Sequence, residues 1–304
     1  VSGRITVVVV SRNRREELLH TLPRHEAPVV LVDNASTDGS AGAVRAALPA
    51  VRVIEVPRNL GAVARNLGVQ VAATPYVAFA DDDSWWAPGA LARAVAVLDA
   101  HPRVGLLAGR ALVGLEQRLD PVSAAMAAAP LGRHPDGAGP DILGFAACAA
   151  VVRRSAFLQV GGFDPVVRFP GEEERVALDL ADHGWLLSYR DDLVVHHHPS
   201  PRRDTAHRRR RAVVRNLLLT ACMRRPWRVV AAKTVTEWRS GTGRPGILAA
   251  LRRLPAALQY RRLLCAAVED SLRRLDLAER AAAGARPTRA EAAASTAVRF
   301  RRTE

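Results

Sequence analysis

Apolar and polar positions fall in blocks along the first two thirds of the chain. Ile5 to Val10 is a continuous β-branched run, followed by polar Ser11-Arg12-Asn13-Arg14 and then by Leu18, Leu19 and Leu22 at helical spacing. Val29 to Val32 is a second short run, ending in the turn-rich Asp33-Asn34-Ala35-Ser36-Thr37-Asp38-Gly39-Ser40, which opens another helix. Val51 to Val56 reads as a third strand, Gly61 to Ala73 as a helix, and Tyr76 to Ala80 as a fourth strand. Short continuous apolar strands are what burial on both faces requires, and strands alternating with helices predict an α/β fold with a mostly parallel, doubly wound sheet.

The pattern continues with a helix over Pro88 to Ala100, Pro88 suiting its first turn, and a strand from Val104 to Ala108. From Glu116 to Pro140 it dissolves into Ala, Gly and Pro, predicting a mobile loop over a site. Ala146 to Val152 is apolar, Ser155 is placed to cap a short helix, and Gly161-Gly162-Phe163-Asp164 makes a turn. A helix is expected from Glu172 to Asp182, stopped at Gly184, then short strands at Trp185 to Tyr189 and Leu193 to Val195. Beyond His198-Pro199-Ser200-Pro201 the composition turns to Ala, Leu and Arg and predicts helices. A boundary near residue 203 divides a catalytic domain, 1–203, from a helical, Arg-rich region, 204–304.

Charge sharpens this division. From Ser200 to Glu304 there are 25 Lys and Arg against 8 Asp and Glu, whereas the rest holds 19 against 22. The basic excess therefore lies in the last third, which fits an anionic membrane surface, nucleic acid or another anionic partner, or solvated helix faces of biased composition. Cys148, Cys222 and Cys265 are too few and too scattered for a disulfide framework or a zinc site, which fits a reducing cytoplasm. With no basic leader and no 18-residue apolar run, the expected location is cytoplasmic, with peripheral attachment to the inner membrane face compatible with the basic third.

The chemistry concentrates at the predicted strand ends. Asp81-Asp82-Asp83 follows a buried strand, where carboxylates can hold a hard divalent cation together with a substrate's phosphates; an acidic surface turn has the same composition. Ser11 to Asn13, Asp33-Asn34, and Asn59 with Arg65 and Asn66 belong on the same sheet edge. In order and spacing these segments resemble the family 2 inverting, nucleotide-sugar-dependent glycosyltransferases of GT-A fold, over roughly residues 4–200. Ser11-Arg12-Asn13-Arg14 is similar to the family's opening signature, Asp33 to Ser40 to its acidic turn, Asn59 to Gly68 to its Asn-Gly-Asn-Gly segment, and Asp81-Asp82-Asp83 to its DxD element.

That resemblance implies a nucleoside-diphosphate sugar donor and Mn²⁺ or Mg²⁺. Ser11, Asn13, Asp33, Asn34, Asn59, Arg65, Asp81 and Asp82 become donor-binding candidates, a carboxylate and an amide suiting base and ribose and a guanidinium suiting phosphate. Asn34 stands where many relatives carry a second Asp. Asp83 is the first choice for the metal, with Asp81, His196 and His198 as further candidates, His196 and His198 sharing one face of an extended segment and His197 the other. Gly171-Glu172-Glu173-Glu174 resembles the family's Gly-Glu-Asp segment. It implies a base for the acceptor hydroxyl, Glu173 first, Glu172 next and Glu174 third, although acidic residues also suit a helix N-terminus. Asp164 and Trp86 are acceptor-side candidates, Asp164 equally suited to stabilising its turn and Trp86 to the core.

The implied activity is metal-dependent, inverting hexosyl or deoxyhexosyl transfer to a hydroxyl of a glycan or lipid-linked, cell-envelope type acceptor. A nucleotidyltransferase would share the sheet and the metal, but its Gly-rich phosphate loop has no counterpart at Ser11 to Arg14. A non-catalytic anion- or nucleic-acid-binding platform is disfavoured because no aromatic residues interleave with the basic run at His207 to Arg211. Leu251, Leu254, Leu258, Cys265, Val268, Leu272 and Leu275 recur at helical spacing beside Arg252, Arg253, Arg262 and Arg273, a pattern that fits an interfacial helix or one packed on the catalytic domain.

Overall fold

The computed structural model describes residues 3–200 and 205–284. Strands β1 (Ile5–Ser11), β2 (Val29–Asp33), β3 (Arg52–Glu55) and β4 (Tyr76–Asp81) alternate with helices α1 (Arg15–Thr21), α2 (Ser40–Ala47) and α3 (Ala64–Val71). The chain continues through β5 (Ser84–Trp86), α4 (Ala90–Ala100), β6 (Val104–Val113), β7 (Arg118–Leu119), α5 (Pro121–Ala127), β8 (Ala150–Arg153), α6 (Arg154–Gln159), α7 (Glu173–Asp182) and β9 (Leu186–His197). Helices α8 (Ala206–Arg224), α9 (Trp227–Arg239), α10 (Arg244–Leu251), α11 (Leu254–Gln259) and α12 (Ala266–Gly284) follow. The boundary expected near residue 203 lies outside the described residues.

The sheet runs β3-β2-β1-β4-β8-β6-β9-β5, with β7 hairpinned onto β6. The β3-β2-β1-β4 block is parallel throughout, so its C-terminal ends share one edge; β8 runs antiparallel to β4 and β6, and β9 parallel to β6. Only the two-residue turn Asp82-Asp83 separates β5 from β4 in the chain, yet β5 pairs with β9 at the far end of the strand order. The sheet therefore curls its β9-β5 end back toward β4, and the acidic triplet joins the two.

Side-chain alternation splits the core in two. Ile5, Val7, Val9, Tyr76, Ala78 and Ala80 pack on one face with Leu18, Leu91 and Leu98. Val8, Val77 and Phe79 pack on the other with Val69, Phe157, Phe163 and Val176. Gly68 allows α3 to lie directly on β1, because a Cβ there would come within 2.4 Å of Val8 Cγ1.

Several expectations change in detail. Pro88 precedes α4, which starts at Ala90 after Gly89 turns in the left-handed region (φ 73°). Ser155 lies inside α6, whose N-cap is Arg153 with no side-chain cap bond. The expected loop over 116–140 contains β7 and α5, and α5 starts from Asp120, whose side chain accepts from Val122 N–H. The two short strands after Gly184 are one strand, β9, whose pairing with β6 shifts register between Gly109 and Arg110. The apolar stripe of the last third is shared among three helices: Leu251 is exposed on α10, while Val268 and Leu272 of α12 bury against Leu178.

Gly68→Ala is expected to lose about 1–3 kcal/mol of stability, the usual cost of overpacking. Urea unfolding followed by circular dichroism checks this, and an unchanged midpoint would mean that α3 is not locked against β1.

Candidate active site

A cleft of about 1280 Å³ opens along the C-terminal edge of the parallel strands. Each carboxylate of the triplet at its floor has a different partner. Asp81 Oδ1 accepts from Arg65 at 2.7 Å. Asp82 Oδ2 accepts from the Ser11 hydroxyl at 2.8 Å, and Ser200 N–H donates to Asp83 Oδ2 at 3.1 Å. His197 Nε2 lies 3.3 Å from Asp83 Oδ1. Burial, opposed by the Ser11 hydroxyl and reinforced by Asp83 and Asp81, pushes Asp82 up to about 7.

Arg65, from the first turn of α3, crosses the floor. Its other amino group donates to Glu172 Oε1 at 3.3 Å, and its guanidinium lies 5.4 Å from the Phe163 ring centre. Burial works against its charge, but Asp81, Glu172 and Glu173 outweigh that and leave its pKa raised. Phe163 is held in turn by Asn66, whose amide donates to Phe163 O and accepts from Phe163 N–H, both at 2.9 Å. Gly162 makes this approach possible: it turns at φ 65°, and a Cβ there would meet Asn66 Oδ1 at 2.5 Å.

Facing the triplet, the start of α7 presents its carboxylates differently. Glu172 is 1% exposed, and its Oε2 has no hydrogen-bond partner among the described residues. Burial first, then the charge of Glu173, push it up to about 8 against the pull of Arg65. Glu173 is half-buried, lines the cleft and accepts weakly from Ala147 N–H at 3.4 Å; burial raises its pKa as well. Glu174 also lines the cleft, beside Lys233 and Asp276 of the C-terminal helices.

The remaining candidates divide. Asp33 is buried, with Oδ1 accepting from Ser36 N–H at 2.8 Å and Oδ2 unpartnered among the described residues. Asn13 Oδ1 accepts from Thr37 N–H at 2.8 Å, tying the first loop to the acidic turn. Asn34 accepts from Leu60 N–H at 2.8 Å and donates to Gly61 O at 3.2 Å, so its amide holds the next loop. Asn59 caps that loop through Gly61 N–H.

Trp86 is a core residue, 2% exposed, with its indole N–H donating to Phe79 O, and it does not line the cleft. Asp164 likewise points inward, accepting from Val166 N–H at 2.6 Å and lying 3.6 Å from Arg175. The histidine alternation holds, but its phase is the reverse of the one expected. His197 meets Asp83, while His196 stacks on Trp85 at 5.4 Å and His198 meets the same ring edge-on at 4.7 Å. Sequence reasoning missed His197, and also Arg209 and Lys233, which helices α8 and α9 bring to the cleft wall. Among the described residues, no three His, Cys, Asp or Glu side chains form a ready-made metal cluster.

Residues 6–161, just over half of the chain, match Glycosyl transferase family 2. The chain belongs to this family. The family's GT-A fold is shared by the mannosyltransferase PcManGT from Pyrobaculum calidifontis, solved with GDP-Man and Mn²⁺: TM-score 0.57, 24% identity, 99% of this chain and 81% of that one. S. aureus TarS 1–349, solved with UDP-GlcNAc, gives a TM-score of 0.51 at 17% identity over 71% of this chain and 66% of that one. GalNAc-T7 with UDP, GalNAc and Mn²⁺ gives 0.53 at 14% identity over 73% and 48%. No curated protein matches the sequence.

For this family 2 member the buried Glu172 predicts a pH dependence of stability. Its folded pKa, about 8, lies above the ordinary 4.5, so its contribution is fully present below about pH 4.5 and is lost as pH rises toward 8. Glu172→Gln should therefore flatten the decline of the urea midpoint between about pH 5 and pH 8, leaving a residual slope from Glu173. Parallel pH profiles for both proteins would refute the assignment.

Proposed function

We propose that this chain transfers a hexosyl or deoxyhexosyl group from a nucleoside-diphosphate sugar to a hydroxyl of a glycan or lipid-linked acceptor, with inversion and with a divalent cation on the diphosphate. The observation that carries this reading is one cleft that sets the triplet and His197 on its floor and Glu173, beside the buried Glu172, at the start of α7.

The donor set fits Mn²⁺ or Mg²⁺. Asp83 offers a carboxylate oxygen and His197 an imidazole nitrogen, 3.3 Å apart, leaving the donor's phosphates and water to complete the shell. His197 takes the place expected of His196 and His198, which are engaged with Trp85. When bound, the cation supplies positive charge to the departing diphosphate. Asn34 on the cleft wall, next to the buried Asp33 with its unpartnered oxygen, is assigned to the base or ribose; Ser11, Asn13 and Asn59 shape the loops around them. Arg65 orients Asp81 and Glu172, and its committed hydrogen bonds make it a positioning residue more than a phosphate ligand.

Glu173 is the base. The acceptor oxygen bonds to the anomeric carbon from the side opposite the diphosphate, the bond to the diphosphate breaks with its electron pair, and the acceptor's proton passes to the Glu173 carboxylate. A raised pKa makes that carboxylate a better proton acceptor than an ordinary glutamate. One displacement by one base gives inversion. Relatives of this fold have been solved with GDP-Man and with UDP-GlcNAc, so both guanine and uracil donors belong in the test.

In this reading residues 1–203 carry the chemistry and the helical region from 204 onward closes the acceptor side. Phe169, Leu217, Leu272 and Leu275 line that end of the cleft, supporting an acceptor with an apolar part such as a lipid-linked glycan. Such an acceptor would bring the enzyme to the cytoplasmic face of a membrane as a peripheral protein. No helix among the described residues is long and apolar enough to cross one.

Thermal-shift titration with nucleoside diphosphates and their sugars, with and without Mn²⁺, tests the reading, and stabilisation by none of them would end it. Asp83→Ala is expected to lose the Mn²⁺-dependent part of donor binding. Glu173→Gln should keep donor binding and lower transfer by about 10²–10⁴-fold, the usual contribution of a general base.

A further inference from the structure

Helix α9 is packed on one side only. Val230 and Glu237 face inward, whereas Trp227, Val235 and Trp238 are 53%, 47% and 52% exposed. With the exposed Ala231 between them, these residues follow at i, i+4, i+8 and i+11, which places them on a single helical stripe. Leu248 and Leu251 on α10, Tyr260 and Leu263 are also more than half exposed. Along the described sequence the large exposed apolar side chains are densest here, and isolated exposed residues would not align along one helix face as those of α9 do.

The charge around the stripe has one sign. Between Pro226 and Cys265 the chain carries eight Lys and Arg, of which Lys233 and Arg262 turn away to Asp276 and Asp182, and a single acidic residue, Glu237, which is buried and paired with Arg210. Two arginines cap the tryptophans themselves: Arg261 lies 4.0 Å from the Trp227 ring centre and Arg244 lies 5.0 Å from that of Trp238. Indole beside guanidinium is the combination that suits a bilayer interface, where the ring sits at headgroup depth and the arginine reaches phosphate.

We propose that α9 docks this protein on an anionic bilayer, with Trp227, Ala231, Val235 and Trp238 entering the headgroup–acyl boundary and Arg228, Arg239 and Arg244 contacting lipid phosphates, while Arg261, which donates to Cys222 O and Arg225 O, holds the Trp227 ring in place. Charge complementarity selects this occupant. A second copy of the chain would bring two arginine-rimmed faces together, and a nucleic-acid base would find both indole rings already covered by guanidinium groups. The proposal deepens the functional reading above and rests on it for the lipid-linked acceptor that gives the docking its purpose. It also moves the membrane-facing element away from the stripe on α12, whose Val268 and Leu272 are buried.

The test is co-sedimentation of the full chain with vesicles of phosphatidylcholine alone or with about one-third phosphatidylglycerol, together with tryptophan emission. Binding should require the anionic lipid, weaken with salt and shift emission to the blue. Val235→Asp and Trp238→Ser together should weaken vesicle binding by about tenfold or more, since a buried carboxylate and a lost indole both oppose insertion. Arg228→Glu with Arg239→Glu should remove the preference for anionic lipid without touching the apolar stripe, which covers the case that the first variant misfolds. Absence of binding, binding unchanged in both variants, a dimer broken by Val235→Asp, or retention only by RNA would overturn the proposal. The nucleoside-diphosphate thermal shift is measured on the same samples. Vesicle binding without that shift would leave the surface standing and sink the transferase reading, and the reverse result would do the opposite.

Discussion

One buried guanidinium holds the candidate site together. Arg65 stands between Asp81 at the end of β4 and Glu172 at the N-cap of α7, two acidic side chains far apart in sequence whose elements it ties together. A buried cation flanked by carboxylates is stable only when its geometry is fixed, and breaking such a set by removing one partner is costly. Here the geometry comes from packing. Phe163 supports the guanidinium, Asn66 fixes Phe163, and Asn66 follows Arg65 on the same helix. The helix that begins at the triplet's side of the cleft thus also sets the position of the start of α7.

Much of this was legible in the sequence, and what escaped did so for definable reasons. Strand-to-helix rhythm and the order of Ser11, Asp33, Arg65 and Asp81 predicted the sheet edge, because each motif is local and its place follows from the element carrying it. Counting back from Gly184 put Glu173 ahead of Glu172; in the fold Glu172 is buried, while Glu173 and Glu174 are half-buried and both line the cleft. Properties set by distant partners could not be read in this way. Trp86 lies beside the site in sequence, but its indole N–H answers to Phe79 O in the core. Asp164 meets Arg175, on a helix whose orientation only the tertiary fold supplies. Strand β5 has three residues between a charged turn and a proline-glycine pair, too few to show a period.

Net charge misleads for a related reason. The basic last third is not uniformly a surface. Arg224 and Arg225, 3% and 2% exposed, are structural: Arg224 meets Asp179 of α7 at 2.6 Å, and Arg225 meets Glu269 at 3.0 Å and Asp276 at 2.9 Å. Asp179 gathers Arg175, Arg224 and, more distantly, Arg262. Some of the arginines thus fasten the C-terminal helices to the helix that carries Glu173. Others rim α9, and the sequence alone does not separate the two groups.

Consider finally the pairing of β9 with β5, in which Ser84 lies opposite His197 and Trp85 opposite His196. Three consecutive histidines leave the choice of imidazole to strand register alone. A slip of one residue would swing His197 away from Asp83 and offer His196 or His198 instead, because every side chain of a slipped strand changes face. The identity of the nitrogen at the acidic triplet is therefore written in the hydrogen-bond ladder of an edge strand, where a slip would leave the composition of the triplet untouched.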